Sequence, residues 1–255
     1  MTQKKTNTIA VCNHKGGVGK TTTAVNIGAA LARSNKRVLL VDLDAQADLS
    51  GSLRIDDTTH NVYELLKGAA PQPIHHAAGF DVIPAVLDLA TAEMEFSGSI
   101  GREYLLKDAL QPLRGQYDYI IIDTPPSLGL LTTNAFTAAD CAIIPIQAEF
   151  LALRGLAKLQ DVLNSVQKRI NPQLYILGVV VTMYDGRLSL HKQVVEYLQQ
   201  QFGAAVFDTP VRTNVSLAEA PAAGQLIYDY APKSTGAADY AAVADEVQKR
   251  LQARK

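Results

Sequence analysis

Two lysines, three glycines and a threonine crowd into eight residues, His14-Lys15-Gly16-Gly17-Val18-Gly19-Lys20-Thr21, between an apolar run and a helical pattern. Residues of these types at this spacing hold phosphate. Successive backbone N–H groups at a strand-to-helix turn form a concavity for phosphate oxygens. Gly16, Gly17 and Gly19 let the backbone approach the ligand closely. Lys20 then meets the β- and γ-phosphates, and the Thr21 hydroxyl is offered to Mg²⁺. The usual pattern GxxxxGK[ST] demands glycine where this chain has His14, and Lys15 is an additional lysine inside the loop.

Carboxylates follow two other apolar runs. Asp42 and Asp44 lie in Val41-Asp42-Leu43-Asp44-Ala45-Gln46, and Asp123 lies in Ile121-Ile122-Asp123-Thr124-Pro125-Pro126. At the carboxyl ends of parallel strands, such groups hold Mg²⁺ through its waters and orient an attacking water. A lone Asp after a strand commonly caps a turn. Here the phosphate loop belongs to the same sheet edge, which favours the chemical role.

Parallel strands have to bring these residues together. Residues 8–12, 38–42, 119–123, 141–146 and 176–181 are almost continuously apolar, as strands covered on both faces are. Helical patterns separate them. Ala24, Ile27, Gly28 and Leu31 share one face, as do Leu153, Leu156, Leu159, Leu163, Val166 and Ile170. A shorter strand is expected at 80–84, helices near 86–95 and 102–113, a helix at 188–201 and a further strand near 204–207. The proline-containing segment 208–232 reads as loops and short turns, and a last helix at about 236–253 packs Tyr240, Val243, Val247 and Leu251 on the sheet. The expected fold is α/β, a mostly parallel sheet flanked by helices on both faces, with ligands at the carboxyl ends of its strands. One domain over residues 1–255 suits the length.

Composition narrows the class. Hydrophobic residues at 47% and charged residues at 19% describe an ordinary globular chain. No apolar run approaches the roughly 20 residues of a membrane span, and residues 1–8 lack the apolar stretch of a secretory signal, so a cytoplasmic location without membrane attachment is expected. Cys12 and Cys141 sit singly in apolar runs and read as core residues. Net charge is −1, but residues 1–149 carry −4 and residues 150–255 carry +3. A polyanion would therefore favour the C-terminal half.

Together these motifs resemble the ParA/Soj family of partition ATPases, P-loop NTPases of the deviant Walker A type, a group that also holds MinD. The likeness covers almost the whole chain. It includes Lys15 to Thr22, Asp42-Leu43-Asp44-Ala45-Gln46 and Asp123-Thr124-Pro125-Pro126-Ser127-Leu128, then Gln147-Ala148-Glu149 with Ala152-Leu153-Arg154-Gly155, and Thr182-Met183-Tyr184-Asp185. Leu217-Ala218-Glu219-Ala220-Pro221 and Pro232-Lys233-Ser234 with Gly236-Ala237 complete it. The resemblance implies that ATP and Mg²⁺ bind at Lys15, Gly16, Gly17, Val18, Gly19, Lys20, Thr21 and Thr22, with Met183 and Pro210 flanking adenine. It implies that Lys15 reaches the nucleotide of a second subunit in an ATP sandwich homodimer, that Asp44 positions the hydrolytic water, and that Asp123 supports Mg²⁺ through water.

The same resemblance implies non-specific DNA binding on the nucleoid and slow hydrolysis stimulated by a ParB-like activator. Arg187 and Lys192 match or adjoin a basic DNA-binding position, with Arg212 and Lys233 nearby. Ser216 stands where the family commonly carries a second basic residue, and Arg212, Lys233, Lys249, Arg250, Arg254 and Lys255 are the candidates to compensate. Two smaller departures are His14 for a common Gln and Ala45 for a common Pro. A MinD-like membrane role would require a bulkier apolar C-terminal helix. The few residues before the first strand are too short for the helix-turn-helix domain of long plasmid ParA proteins. The alternative from another class is a metabolic P-loop enzyme. An iron-sulfur reductase of that group would require cluster cysteines, and a carboxylate-activating ligase would ignore DNA.

Overall fold

The computed structural model describes residues 5–150 and 155–254. Ala152, Leu153, Arg154 and Lys255, each named above, lie outside the described residues. Among the described residues seven strands form one sheet: β1 (Asn7–Val11), β2 (Val38–Asp42), β3 (Ile74–His76), β4 (Phe80–Ile83), β5 (Tyr119–Asp123), β6 (Cys141–Gln147) and β7 (Tyr175–Thr182). Their order is β3-β4-β2-β5-β1-β6-β7, and every pairing is parallel except β3 with β4 at the edge.

Side chains alternate across a strand, and both faces here are apolar. Ala10, Cys12, Leu39, Val41, Ile120, Ile122, Ala142 and Ile144 enter one core. Ile9, Val11, Val38, Leu40, Ile121, Cys141 and Ile143 enter the other. On the first side lie α5 (Leu105–Leu110), α6 (Leu130–Ala138), α7 (Leu156–Arg169) and α8 (Ser189–Phe202), after the shorter α3 (Val62–Leu66) and α4 (Ala92–Glu95). The second side is covered chiefly by α1 (Lys20–Arg33) and by α11 (Thr235–Ala253), which follows α9 (Ser216–Ala222) and α10 (Ile227–Tyr230). The short α2 (Asp48–Ser52) lies beyond the β2 end.

Three elements differ from the sequence expectation. The segment 204–207 is a 3-10 turn, Gly203–Ala205, after which the chain touches β7 without becoming a strand. Phe207 N donates to Val179 O and Val211 N to Val181 O, so four residues advance alongside two of β7 while Pro210, lacking an N–H, sits between. The expected helix at 102–113 is α5 between two 3-10 turns, the second carrying Pro112. The expected helix at 86–95 is likewise a 3-10 turn, Leu87–Thr91, running into α4. Conversely, periodicity does not reveal α6. Seven of its nine residues are buried, so it has no polar face to set a rhythm.

Candidate functional site

β1 lies between β5 and β6, and its register places Val11 beside Asp123, which is itself paired with Asp42. The phosphate loop thus leaves the sheet at the level of both carboxylates. Asn13 anchors its start, with Nδ2 donating to Pro145 O (2.7 Å) and Oδ1 accepting from Lys15 N (3.0 Å). Gly17 (φ 73°) and Gly19 (φ 85°) take the left-handed conformation that glycine adopts without steric cost. Thr182 at the end of β7 donates its hydroxyl to Val18 O (2.8 Å) from the other side. No side chain caps α1 and no acidic residue occupies its first turn. Its free N–H groups and positive dipole end therefore face the loop, the arrangement that binds an anion.

Within this frame Lys20 is buried, and its Nζ donates to Lys15 O (3.3 Å). Burial lowers its pKa, against the pull of Asp123 and Asp44. A phosphate group is a stronger acceptor than one carbonyl, so this contact is exchangeable. Thr21 Oγ1 donates to Asp123 Oδ2 (2.6 Å), while Asp123 Oδ1 is buried without a partner among the described residues. Burial, reinforced by Asp42, pushes the Asp123 carboxyl well above the usual carboxylate range. Asp42 accepts from Asp44 N (3.2 Å), Ser50 N (3.0 Å) and Ser50 Oγ (2.7 Å). Burial moves it up to about 6 despite those bonds. Its work is to fix the turn that carries Asp44. Asp44 itself is partly exposed, and its Oδ1 accepts from Gln46 N at 3.1 Å.

The orphaned Asp123 oxygen beside the Thr21 hydroxyl fits a hydrated divalent cation. Among the described residues no group of three His, Cys, Asp or Glu side chains could cage a metal. Mg²⁺ suits such a site, because it keeps several waters and shares phosphate oxygens rather than filling its shell with protein.

Lys15 Nζ lies 3.3 Å from Glu149 Oε2. The His14 ring packs where a Cβ on Gly155, just before α7, would lie, so a larger residue there would displace that ring. A cavity of about 360 Å³ opens beside Gly19 and Thr22, with Met183, Val211, Val215 and Leu217 among its walls. Of the two residues expected beside adenine, Met183 lines this cavity, while Val211 rather than the adjoining Pro210 is in its wall. Val215, Leu217 and Tyr240 of this wall carry no sequence motif for a base; only their place after β7 associates them with it. A second cavity of about 520 Å³ lies across α1, bounded by Thr21, Gln46 and Asp48 with α9.

The basic residues of the C-terminal half fare differently. Arg187 is exposed, but its guanidinium grips Asp185 through Nε and Nη2. Lys192 and Lys233 are exposed. Arg212 is bound to the buried carboxylate of Asp239 through its backbone N, Nε and Nη2. The Arg212 side chain is half exposed, but its guanidinium is held by this ion pair within the fold. Arg250 is equally committed, to Glu246 and to the carbonyls of Leu177, Ala205 and Val206. Arg254 lies over the Tyr175 ring. No helix among the described residues is long and apolar enough to cross a membrane.

A family model described as an AAA domain matches residues 6–176. Among similar proteins, the sporulation initiation inhibitor protein Soj of Bacillus subtilis is 47% identical over 245 residues, 94% of this chain and 97% of its own. The chromosome partitioning protein ParA of Caulobacter vibrioides is 44% identical over 257 residues, 97% of this chain and 96% of its own. Among solved structures, cobyrinic acid a,c-diamide synthase of Mycobacterium smegmatis with a bound ATP analogue and magnesium has a TM-score of 0.87 at 38% identity, covering 98% and 97% of the two chains. A plasmid partition protein of Borrelia burgdorferi has a TM-score of 0.77 at 26% identity, covering 99% and 100%.

Proposed function

Because this chain belongs to the ParA/Soj family of P-loop ATPases, we propose that it is an ATP-dependent partition ATPase whose ATP-bound homodimer holds DNA without sequence preference. In this reading the chain acts as one domain. The loop from Lys15 to Thr22 binds the triphosphate, Lys20 neutralises its terminal charge, and the cavity at Met183 and Val211 takes the base. Thr21, with Asp123 and Asp44 acting through water, would hold Mg²⁺, which supplies charge neutralisation of the phosphates when bound. Asp44, partly exposed after β2, orients the hydrolytic water. Lys15 crosses to the nucleotide of the second subunit and stabilises the transferring phosphoryl group, as an arginine finger does. A ParB-like activator accelerates the slow hydrolysis and resets the dimer. Arg187, Lys192 and Lys233 supply the DNA surface, placing the protein on the nucleoid in the cytoplasm.

The observation that carries the reading is the additional loop lysine, Lys15, beside a complete phosphate site. Phosphate binding alone does not need it. A second reading, a ligase that activates a carboxylate with ATP, draws on the likeness to the cobyrinic acid a,c-diamide synthase. ATP hydrolysis and binding to random-sequence DNA, measured together with ATP, ADP and no nucleotide, separate the two. DNA binding confined to the ATP state supports partition, whereas turnover indifferent to DNA with no ATP-selective binding supports the ligase.

A further inference from the structure

The loop lysine is not free in the single chain. Its ammonium contacts Glu149 of the same subunit, and that carboxylate is held on its other side. Gln147 Nε2 donates to Glu149 Oε1 at 2.8 Å, and Glu149 N donates to Gln147 O at 2.7 Å. The end of β6 therefore fixes Glu149 with Oε2 turned toward Lys15. The same strand anchors the phosphate loop, through Pro145 O and Asn13. Since Asn13 also fixes the Lys15 backbone N–H, delivering the ammonium elsewhere is a side-chain swing that breaks one ion pair. The two side chains are 34% and 46% exposed, a setting in which a pair shifts an equilibrium by up to about fivefold. Such a contact biases the lysine without trapping it.

We propose that Glu149 is a positioning residue that retains Lys15 in its own subunit, so that dimer formation exchanges this carboxylate for the phosphates of the second nucleotide. The inference rests on the trans role given to Lys15 above. It assigns work to Gln147-Ala148-Glu149, which phosphate binding leaves unexplained. Weak retention raises the threshold for dimerisation and keeps the ammonium beside its loop while the partner site is empty.

Glu149→Gln keeps an acceptor for Gln147 and removes the charge. With a non-hydrolysable ATP analogue and magnesium at low salt, its dimer dissociation constant by analytical ultracentrifugation should fall about two- to fivefold. The ratio to wild type should approach one near 1 M salt, where screening acts within about 3 Å. In the nucleotide-free monomer, Lys15 of the variant should be acetylated faster by an N-hydroxysuccinimide ester, read by peptide mass spectrometry; a merely structural Glu149 would not move this rate. Gln147→Ala, which unpins the carboxylate without removing it, should give a smaller shift of the same sign. Unchanged Lys15 labelling, or a dimer of equal or weaker affinity in Glu149→Gln, overturns the retention role, provided Lys15→Ala itself fails to dimerise. If Lys15→Ala dimerises like wild type, the trans role falls, and retention with it.

Discussion

Lys15 and Lys20 rest on a partly exposed carboxylate and a single carbonyl, whereas Arg212 and Arg250 are fastened to protected carboxylates and, for Arg250, to three carbonyls. The first pair holds its charge where a phosphate can claim it. The second pair has spent its charge on joining α11 to the segment after β7. Arg187 falls between these cases, since its partner Asp185 lies two residues away and its own side chain is 90% exposed. Cationic residues of equal formal charge therefore serve binding or stability according to how easily an outside anion displaces their present partner.

Removing Lys20 tests the strongest side of this contrast. Lys20→Ala should weaken ATP binding on the order of 100-fold, by calorimetry, with little loss of fold; near-normal affinity would place the terminal phosphates elsewhere. Asp44→Ala should leave that affinity in place and slow phosphate release on the order of 100-fold, and unimpaired single-turnover hydrolysis would remove its role toward water. Arg212→Ala should instead strand the Asp239 carboxylate and lower stability by about 2 kcal/mol in urea denaturation. A stable Arg212→Ala protein with weakened DNA binding would reverse the assignment. The smallest effect belongs to Asp185→Asn. Releasing Arg187 from its neighbour should raise affinity for random DNA up to about fivefold at low salt, and more steeply than wild type as salt falls; weaker binding would exclude Arg187 from the DNA surface.

How far these contrasts are legible in the sequence follows the same division. The phosphate loop, Asp42, Asp44 and Asp123 are readable because each is tied to a strand end, and strand ends show as apolar runs. The β3 edge is not, because Ile74, His75 and His76 carry no alternating pattern and pair only through Phe80–Ile83. Nor is the fate of Arg212, whose partner Asp239 lies 27 residues away on α11. A basic residue and its distant counter-ion meet only through the fold, so charge counted along the chain overstates what a polyanion would find. Glu149 was visible as a motif, but its contact with Lys15 spans 134 residues.

The order of the sheet also governs when the protein acquires its chemistry during synthesis. The phosphate motif is translated well before its supports, since β1 gains its two neighbours only with residues 119–123 and 141–147. The loop receives its Thr182 support later still, and Tyr240, within 3.1 Å of the Thr23 hydroxyl, seats α1 near the end of the described chain. Contacts so distant in sequence form late as a chain leaves the ribosome. A stalled or truncated product would carry the phosphate motif without the neighbouring strands and the Thr182 support that shape its pocket.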